Sequence, residues 1–325
     1  MEKIKWGVLG TASIARGCTI PGMKKAKNCE LYAVAGRDIK KAEAFKKEFG
    51  FEKAYGSYDE LLSDKNVTAV YIPLPNNLHY EWCIKAMKAG KHVLCEKPLA
   101  PSKKQAEELF KTAKECGVYL MEAFAYLHTP YIAALREDIR DKVIGDVRYI
   151  ESAFMVQSCP PEDIRMHKET NGGAFYDLGC YSISQMVWLL DAIPVSAEAI
   201  SEYTDEKIDI FTTAYLKFPG DIRASVNCGM FFGRERNSRM DRLYIHGTKG
   251  SIKSDVEFNQ AGKLTYVIDI DGHKVKKTIN AKHNYALEVE DLGKTILTGA
   301  PLIVSPEFSV KNAEAMDLVL KAMGY

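Results

Sequence analysis

The sequence lacks an apolar run long enough to cross a bilayer as a helix, which takes about 20 residues. Its longest candidate, residues 186–193, is short and contains Asp191. The first six residues, Met-Glu-Lys-Ile-Lys-Trp, lead directly into a predicted strand and leave no room for a signal peptide. We therefore expect a cytoplasmic protein without a membrane partner.

An excess of charge of one sign is also missing. Lys and Arg together number 44 and Asp and Glu 43, which gives a formal net charge of +1. Because nucleic-acid-binding domains carry a basic patch or stripe, this balance disfavours nucleic acid as a partner. The arginines between residues 234 and 242 are interspersed with acidic residues, a mixture that indicates a solvated loop or a subunit contact.

Paired cysteines are absent as well. The eight cysteines are scattered, none forms a Cys-x-x-Cys pair, and none lies near a histidine at the spacing of a zinc finger. We expect thiols that are mostly buried, in a reducing compartment, and no metal site.

What the sequence does contain, over its first 123 residues, is an alternation of short apolar runs and helical segments. The predicted strands cover residues 4–9, 31–35, 67–72, 92–95 and 118–123. Strands that alternate with helices imply right-handed crossovers and a parallel sheet of the α/β class. Ligands of such sheets bind beyond the carboxyl ends of the strands.

Residues 124–325 have a different pattern. Several long strand-like segments follow one another without intervening helices, over residues 196–203, 210–218, 222–230 and 242–246. The dipeptide Asp271-Gly272 separates two further segments and is a strong signal for a hairpin. At about 100–200 residues per domain, a chain of 325 residues forms two domains, which we place at 1–123 and 124–325, the second with an antiparallel sheet.

The turn after the first strand is similar to the dinucleotide-binding fingerprint G-x-G-x-x-G/A. It consists of Gly10, Thr11, Ala12, Ser13, Ile14 and Ala15. Ala12 replaces the second glycine, and its methyl group narrows the approach of the backbone to a pyrophosphate. We expect the pyrophosphate at the helix N-terminus near Ser13, where free N–H groups and the helix dipole favour anions.

The end of the second strand determines which cofactor the turn would bind. Enzymes that use NAD place Asp or Glu there to hold the ribose 2′-hydroxyl. This chain has Gly36 followed by Arg37, and an arginine pairs with the 2′-phosphate of NADP and stacks on adenine. Asp38 leaves an alternative open, but it is also the expected N-cap of the next helix. The sequence thus favours NADP(H) over NAD(H).

Four motifs together resemble those of the Gfo/Idh/MocA oxidoreductases, over essentially the whole chain. They are the glycine turn, residues 73–79 with the sequence Pro-Leu-Pro-Asn-Asn-Leu-His, Glu96-Lys97-Pro98, and the Asp-x-x-x-Tyr pattern of Asp177 and Tyr181. The resemblance is nearest to the dimeric dihydrodiol dehydrogenases and the NADP-dependent D-xylose dehydrogenases. It implies an N-terminal Rossmann domain, a C-terminal α+β domain with a large, mostly antiparallel open sheet for substrate binding, and a homodimer or homotetramer formed through that sheet.

The resemblance also implies which residues contact the cofactor and perform the chemistry. Besides the turn and Arg37, the cofactor contacts would be Pro73, Leu74, Asn76, His79, Glu96 and Lys97. Tyr181 would be the general acid or base, with the Lys97 ammonium lowering its pKa from the free value of about 10. Asp177 shares a helical face with Tyr181 and would hold a substrate hydroxyl or orient Lys97. Arg165, in the loop before the glycines, is a candidate substrate contact.

The expected function is hydride transfer between NADP(H) and a carbonyl or secondary alcohol of a sugar-like or cyclic diol substrate. Two alternatives remain open. If Asp38 rather than Arg37 contacts the ribose, the protein is an NAD-dependent sugar or inositol dehydrogenase. A dinucleotide-binding regulator without catalysis is the other, and the joint presence of Lys97, Asp177 and Tyr181 argues against it. Leu127 replaces an arginine of many xylose-type relatives, which leaves the substrate open.

Overall fold

The computed structural model describes residues 2–233 and 239–325. Arg234 and Arg236 of the predicted loop lie outside the described residues. The helices are α1 (Ile20–Lys25), α2 (Ile39–Phe49), α3 (Tyr58–Ser63), α4 (Asn76–Lys88), α5 (Lys103–Cys116), α6 (Pro130–Arg140), α7 (Cys180–Leu190), α8 (Asn284–Thr298) and α9 (Pro306–Met323). No helix in the described part of the chain is both long and apolar enough to span a membrane.

The chain divides into two compact units. The first comprises Met1–Ala100, Lys104–His128 and Lys282–Ser309, and the second comprises Pro101–Lys103, Thr129–Ala281 and Val310–Tyr325. Their strands are β1 (Ile4–Leu9), β2 (Cys29–Ala35), β3 (Lys53–Tyr55), β4 (Ala69–Ile72), β5 (His92–Glu96), β6 (Leu120–Ala123), β7 (Val147–Gln157), β8 (Ser196–Tyr203), β9 (Asp209–Phe218), β10 (Ile222–Phe232), β11 (Met240–Gly247), β12 (Ser251–Ser254), β13 (Gly262–Ile270) and β14 (His273–Ala281).

The first unit is built on a parallel sheet which, within the described residues, has six strands in the order β3-β2-β1-β4-β5-β6. This confirms the predicted α/β class and is the strand order of a Rossmann domain. The strands are continuous apolar runs because helices cover both faces of such a sheet; in β1, Trp6, Val8 and Leu9 are fully buried. The order reverses between β1 and β4, which is where such sheets bind ligands.

Local sequence signals fix the helices that follow these strands. Asp38 is the N-cap of α2, and its side chain accepts a hydrogen bond from the Lys40 N–H at 2.9 Å. Gly50 ends the same helix with φ +81°, a conformation that glycine adopts without steric cost. Pro21 lies in the first turn of α1, directly after a π-helical turn over Ala15–Thr19. The helix is thus widened by one turn just before Pro21 and continues through the proline.

The first unit differs from the predicted domain 1–123 because it also contains α8. Gly22 packs so closely on α8 that a Cβ atom there would lie 2.6 Å from the Cβ of Tyr285. The Asn28 side chain also donates to the carbonyl oxygen of Glu290 at 2.9 Å. An amphipathic helix late in the chain can cover the core of either unit, so its periodicity did not reveal this packing.

The second unit has a mostly antiparallel sheet, as predicted. Its eight strands in the described part run in the order β14-β13-β12-β11-β7-β10-β9-β8, and β7 and β10 are parallel. Helix α7 lies on one face, where Ser152 of β7 donates to Gln185 at 2.8 Å. On the other face, Ile200 and Tyr215 are 75% and 61% exposed. Strand β14 forms one edge and is exposed over most of its length.

All eight cysteines lie within the described residues and are free thiols. Five of them are buried: Cys29, Cys83, Cys95, Cys180 and Cys228. Burial raises the pKa of the Cys29 thiol to about 12. Such a thiol stays protonated and unreactive at neutral pH.

Candidate active site

The carboxyl ends of β1, β2 and β4 surround a cavity of about 390 Å³ in the first unit. Six of the predicted cofactor contacts line it: Gly10, Thr11, Ala12, Arg37, Pro73 and Leu74. The other lining residues are Gly36, Asp38, Lys41, Tyr58 and Pro75. The structure therefore brings together the glycine turn, the specificity position and the start of the 73–79 motif, which are distant in sequence.

The glycine turn shapes the floor of this cavity. Gly10 has φ +120°, and a Cβ atom there would lie 3.2 Å from Leu74 Cδ2, so a larger residue would be strained and crowded. The helix begins just beyond Ala12, since the Arg16 N–H donates to the Ala12 carbonyl. The N–H groups of that first turn, which includes Ser13 and Ile14, have no acceptor within the helix and suit an anion.

Two cationic side chains and one anionic side chain line the cavity where the chain leaves β2. Arg37, which precedes the N-cap Asp38, and Lys41, in the first turn of α2, are both exposed at the cavity. The Asp38 carboxylate is held by the N–H of Lys40 as the cap of α2. Burial raises the pKa of the Tyr58 hydroxyl, and the neighbouring Arg37 charge opposes that rise.

His79 supports the cavity from below and does not line it. Its ring is fully buried, and its nitrogens lie 2.8 Å from the carbonyl oxygens of Leu74 and Pro98. Burial lowers the pKa of the imidazole. His79 thus supports Leu74, which is a lining residue, and its predicted contact with the cofactor stays a prediction.

Glu96 is the last residue of β5, which lies next to β4 in the sheet, and Lys97 follows it. One Glu96 carboxylate oxygen accepts from the Tyr71 hydroxyl at 2.6 Å, and the other accepts from the Lys97 N–H at 3.3 Å. Thr19 in turn donates to the Tyr71 hydroxyl oxygen at 2.9 Å. Glu96 thus fixes the backbone at Lys97. Asn76 is the first residue of α4, the helix that follows the neighbouring strand β4. Neither Asn76, Glu96 nor Lys97 lines the 390 Å³ cavity.

The second unit has its own cavity of about 740 Å³. Of the predicted substrate residues, Arg165 and Asp177 line it, together with polar and sulfur-containing side chains. The remaining lining residues are Val156, Gln157, Ser158, Cys159, Pro160, Asp163, Leu178, Met230, Arg239 and Glu257. Tyr181 lies one helical turn beyond Asp177 and is not among them.

Arg165 and Asp177 form a close ion pair in this cavity. The Arg165 Nε donates to Asp177 Oδ2 at 2.6 Å, and Nη1 lies 3.2 Å from Asp163 Oδ1. The Asp177 charge raises the pKa of the guanidinium above its ordinary value, so Arg165 stays protonated. Sequence reasoning named both residues but not their pairing, which orients the Asp177 carboxylate at the cavity.

The helix that carries Asp177 and Tyr181 is capped by a residue of strand β9. Its first turn, Phe175–Gly179, is π-helical, and the Phe175 N–H donates to the Asp209 carboxylate at 2.7 Å. Gly173 permits this contact, because a Cβ there would lie 2.1 Å from Asp209 Oδ1. Burial raises the pKa of Asp209, and its hydrogen bonds oppose that rise.

Tyr181 is buried between two aromatic rings. Phe154 meets it edge-on with ring centroids 5.4 Å apart, and Phe258 is tilted against it at 5.1 Å. The Tyr181 hydroxyl oxygen accepts a hydrogen bond from Asn259 Nδ2 at 3.2 Å. Packing thus holds the ring in place, and the hydrogen bond from Asn259 holds the hydroxyl.

Sequence reasoning missed Lys41, Tyr58, Asp209 and Asn259. Lys41 had no sequence signal, because Arg37 precedes the extended N-cap Asp38 and no helical spacing relates the two residues. Asp209 and Asn259 reach the helix of Tyr181 from strand and turn positions far along the chain, and no sequence spacing records such contacts.

Each of the two units contains a segment that matches a known domain family. Residues 4–124 match the family described as "Oxidoreductase family, NAD-binding Rossmann fold", and residues 132–253 match the "GFO/IDH/MocA C-terminal domain". A D-xylose 1-dehydrogenase (NADP(+)) of Haloferax volcanii is 32% identical over 98% of this chain and 96% of its own length. A trans-1,2-dihydrobenzene-1,2-diol dehydrogenase of Mus musculus is 31% identical over 76% and 73%.

A solved structure extends the similarity to three dimensions. The 3-ketoreductase of Actinomadura kijaniata, in complex with NADP and TDP-benzene, matches with a TM-score of 0.91 and 30% identity. The match covers 99% of this chain and 98% of that protein.

Proposed function

The chain belongs to the Gfo/Idh/MocA family of oxidoreductases, and on this basis we propose that it is an NADP(H)-dependent enzyme that reduces a carbonyl group, or oxidises the corresponding secondary alcohol, of a sugar-like or cyclic diol substrate. The relatives named for D-xylose and dihydrobenzenediol, and the ketoreductase bound to NADP, support this substrate class and this cofactor.

The observation that carries the cofactor proposal is the division of roles at the end of β2. All three side chains line the cavity, but Asp38 Oδ1 is engaged by the Lys40 N–H as the cap of α2, whereas Arg37 and Lys41 present two positive charges there. A ribose 2′-hydroxyl needs a carboxylate partner, and a 2′-phosphate needs cations. Arg37 would pair with the 2′-phosphate, and Lys41 would add a second positive charge.

The residues of the first unit fit a dinucleotide. The turn of Gly10, Thr11 and Ala12 would approach the pyrophosphate, with the helix N-terminus at Ser13 and Ile14 next to it. Pro73 and Leu74 would form the apolar wall, supported by His79. Asn76, Glu96 and Lys97 remain proposed contacts to the nicotinamide half. The bound cofactor supplies or accepts the hydride.

Tyr181 is the proposed general acid and base. In the direction of reduction the carbonyl carbon gains the hydride, and the oxygen gains the proton of Tyr181, so that an alcohol and a tyrosinate result. Lys97 stabilises that tyrosinate electrostatically, since a nearby ammonium favours the charged form. In oxidation the tyrosinate removes the proton of the substrate hydroxyl and the same steps run in reverse.

Asp177 and Arg165 position the substrate in this proposal. The ion pair leaves carboxylate and guanidinium groups side by side at the cavity, which suits a hydroxyl that both donates and accepts. The exposed face of the eight-stranded sheet, with Ile200 and Tyr215, is the surface through which we propose a homodimer or homotetramer forms.

A fluorescence titration with NADPH and NADH side by side tests the cofactor proposal. We expect binding of NADPH at least about tenfold tighter than that of NADH, the factor given by one charge-assisted hydrogen bond of about 1.5 kcal/mol. Equal or tighter binding of NADH would contradict it. With NADPH bound, a panel of free aldoses, ketoses and 1,2-diketones, followed by loss of NADPH absorbance, then tests the substrate class.

A further inference from the structure

Asn259 occupies the connection between β12 and β13 in a conformation that few residues adopt. Its φ is +64°, in the left-handed region where asparagine and glycine are the usual occupants. From this position Nδ2 reaches the hydroxyl oxygen of Tyr181 at 3.2 Å. The backbone conformation and the hydrogen bond together explain why asparagine suits this site.

A buried network holds the connection in place. The Phe258 N–H donates to Asp241 Oδ1 at 2.8 Å, and Arg239 Nη2 donates to the Phe258 carbonyl at 3.1 Å. Arg239 and Asp241 are themselves paired at 2.6 Å, with the Asp241 side chain almost fully buried. Phe258 packs on the ring of Tyr181, so the same short segment fixes the ring and the hydroxyl.

We propose that Asn259 is a catalytic residue, whose side-chain amide donates a hydrogen bond to the Tyr181 oxygen that gains and loses the proton. The inference rests on the proposed role of Tyr181 and adds a donor to it. A donor at this oxygen favours the tyrosinate over the neutral phenol. Asn259 therefore assists the step in which Tyr181 releases its proton to the substrate oxygen.

Charged groups around Tyr181 act on the same equilibrium. The Arg239 guanidinium, just before β11, interacts electrostatically with Tyr181 and favours the tyrosinate. Asp177 on the same helix and Glu257 on the connection carry negative charges that oppose it, and Lys97 supports it in the proposed mechanism. A substitution of Asn259 leaves all of these charges in place, so a change in titration reports the loss of the amide donor.

Two substitutions distinguish the effect of losing the hydrogen-bond donor from the effect of disturbing the fold. Asn259→Gly keeps the left-handed backbone without strain and removes the amide. Asn259→Asp keeps the shape and places a carboxylate against the hydroxyl. With the chain labelled at tyrosine Cζ with ¹³C, the resonance of Tyr181 is identified by its absence in Tyr181→Phe. We expect its apparent pKa to rise by about one unit in Asn259→Gly, the equivalent of one hydrogen bond, and further in Asn259→Asp.

Asn171→Gly is the matched control, because Asn171 is also left-handed with φ +52° and lies in the same unit. It should leave the Tyr181 resonance unchanged. Equal titration of Tyr181 in the parent and both Asn259 variants would overturn the inference, even if Tyr181→Phe is inactive. Full turnover of Tyr181→Phe would instead overturn the proposed role of Tyr181, and the resonance would still show whether Asn259 contacts its oxygen.

Discussion

The Asp209 carboxylate, at the start of β9, accepts a hydrogen bond from the backbone N–H of Phe175 at 2.7 Å. Asp209 therefore caps a helix although it lies 34 residues after Phe175 in the chain. Helices are usually capped by the residue that precedes them, but here Ala174 makes no side-chain cap. The second Asp209 oxygen accepts from the Tyr325 hydroxyl at 3.0 Å. The start of the helix that carries Asp177 and Tyr181 is therefore anchored to the large sheet.

We expect Asp209→Ala to reduce the free energy of unfolding by at least about 1–3 kcal/mol, because it leaves the buried Phe175 N–H without its acceptor. Urea unfolding followed by far-UV circular dichroism measures the change. Asp205→Ala, at an exposed position nearby, is the control and should change the stability little. Equal stability of the two variants would show that the Asp209 cap contributes nothing.

Removing the cations of the first cavity should weaken binding of NADPH selectively. Arg37→Ala deletes a group that would form a charge-assisted bond to the 2′-phosphate, which corresponds to a roughly 10–100-fold rise in Kd for NADPH. Lys41→Ala should give a smaller rise in the same direction, and the Kd for NADH should change little in both. Lys40→Ala, exposed on the same helix but outside the cavity, serves as control in the same titration. An equal loss of NADH affinity would argue against recognition of a phosphate.

The Tyr181→Phe substitution should lower kcat by about 10²–10⁴, the usual contribution of a general acid or base. The ring stays in place between Phe154 and Phe258, so the fold and the binding of NADPH should be unaffected. Steady-state turnover on the substrate found in the carbonyl screen, with the Kd of NADPH as a control, measures the effect. Turnover within a factor of about two of the parent would exclude Tyr181 as the proton donor.

Lys97→Met retains most of the side-chain volume but removes the ammonium that the proposed mechanism places beside the tyrosinate. We expect turnover to fall steeply while NADPH binding remains measurable. Lys91→Met makes an informative contrast, since the Lys91 ammonium donates to the backbone carbonyls of Asp64 and Val67 at 2.7 and 2.8 Å. That variant should lose stability rather than turnover per folded molecule, and unchanged activity in Lys97→Met would remove Lys97 from the mechanism.

Glu122 makes stability depend on pH. Burial raises its pKa from 4.5 to about 7, although the Leu99 N–H donates to it at 2.9 Å. Because the folded state binds this proton more tightly than the unfolded state, the contribution is full below about pH 4.5 and is lost as pH rises through about 7. Glu122→Gln should therefore have a higher Tm than the parent at pH 8 but not at pH 5. A difference in Tm that is the same at both pH values would contradict this account.

The parts of the fold that could be predicted are those with local causes. Asp271 and Gly272, with φ of +51° and +83°, form the predicted hairpin turn, and the buried strands of the first unit follow from their apolar runs. The short strands β3 and β12 were missed, because three or four residues give no usable alternation. They are held by their neighbours in the sheet.

The candidate site divides in the same way. Arg37, Asp177 and Tyr181 belong to motifs that sequence reasoning can read. Asp209 and Asn259 act on the same helix through contacts that arise only when the sheet is assembled. The placement of α8 in the first unit has the same kind of cause, since it depends on the close fit of Gly22 against Tyr285.

The lysines of β14 restrict how two copies of this protein could associate. Lys274 and Lys276 are exposed along the open edge of the large sheet. A strand that added to this edge would have to strip water from these ammonium groups or meet the same groups on a second copy. This edge is therefore protected against growth strand by strand into fibrillar aggregates, which favours the broad face of the sheet for a closed assembly.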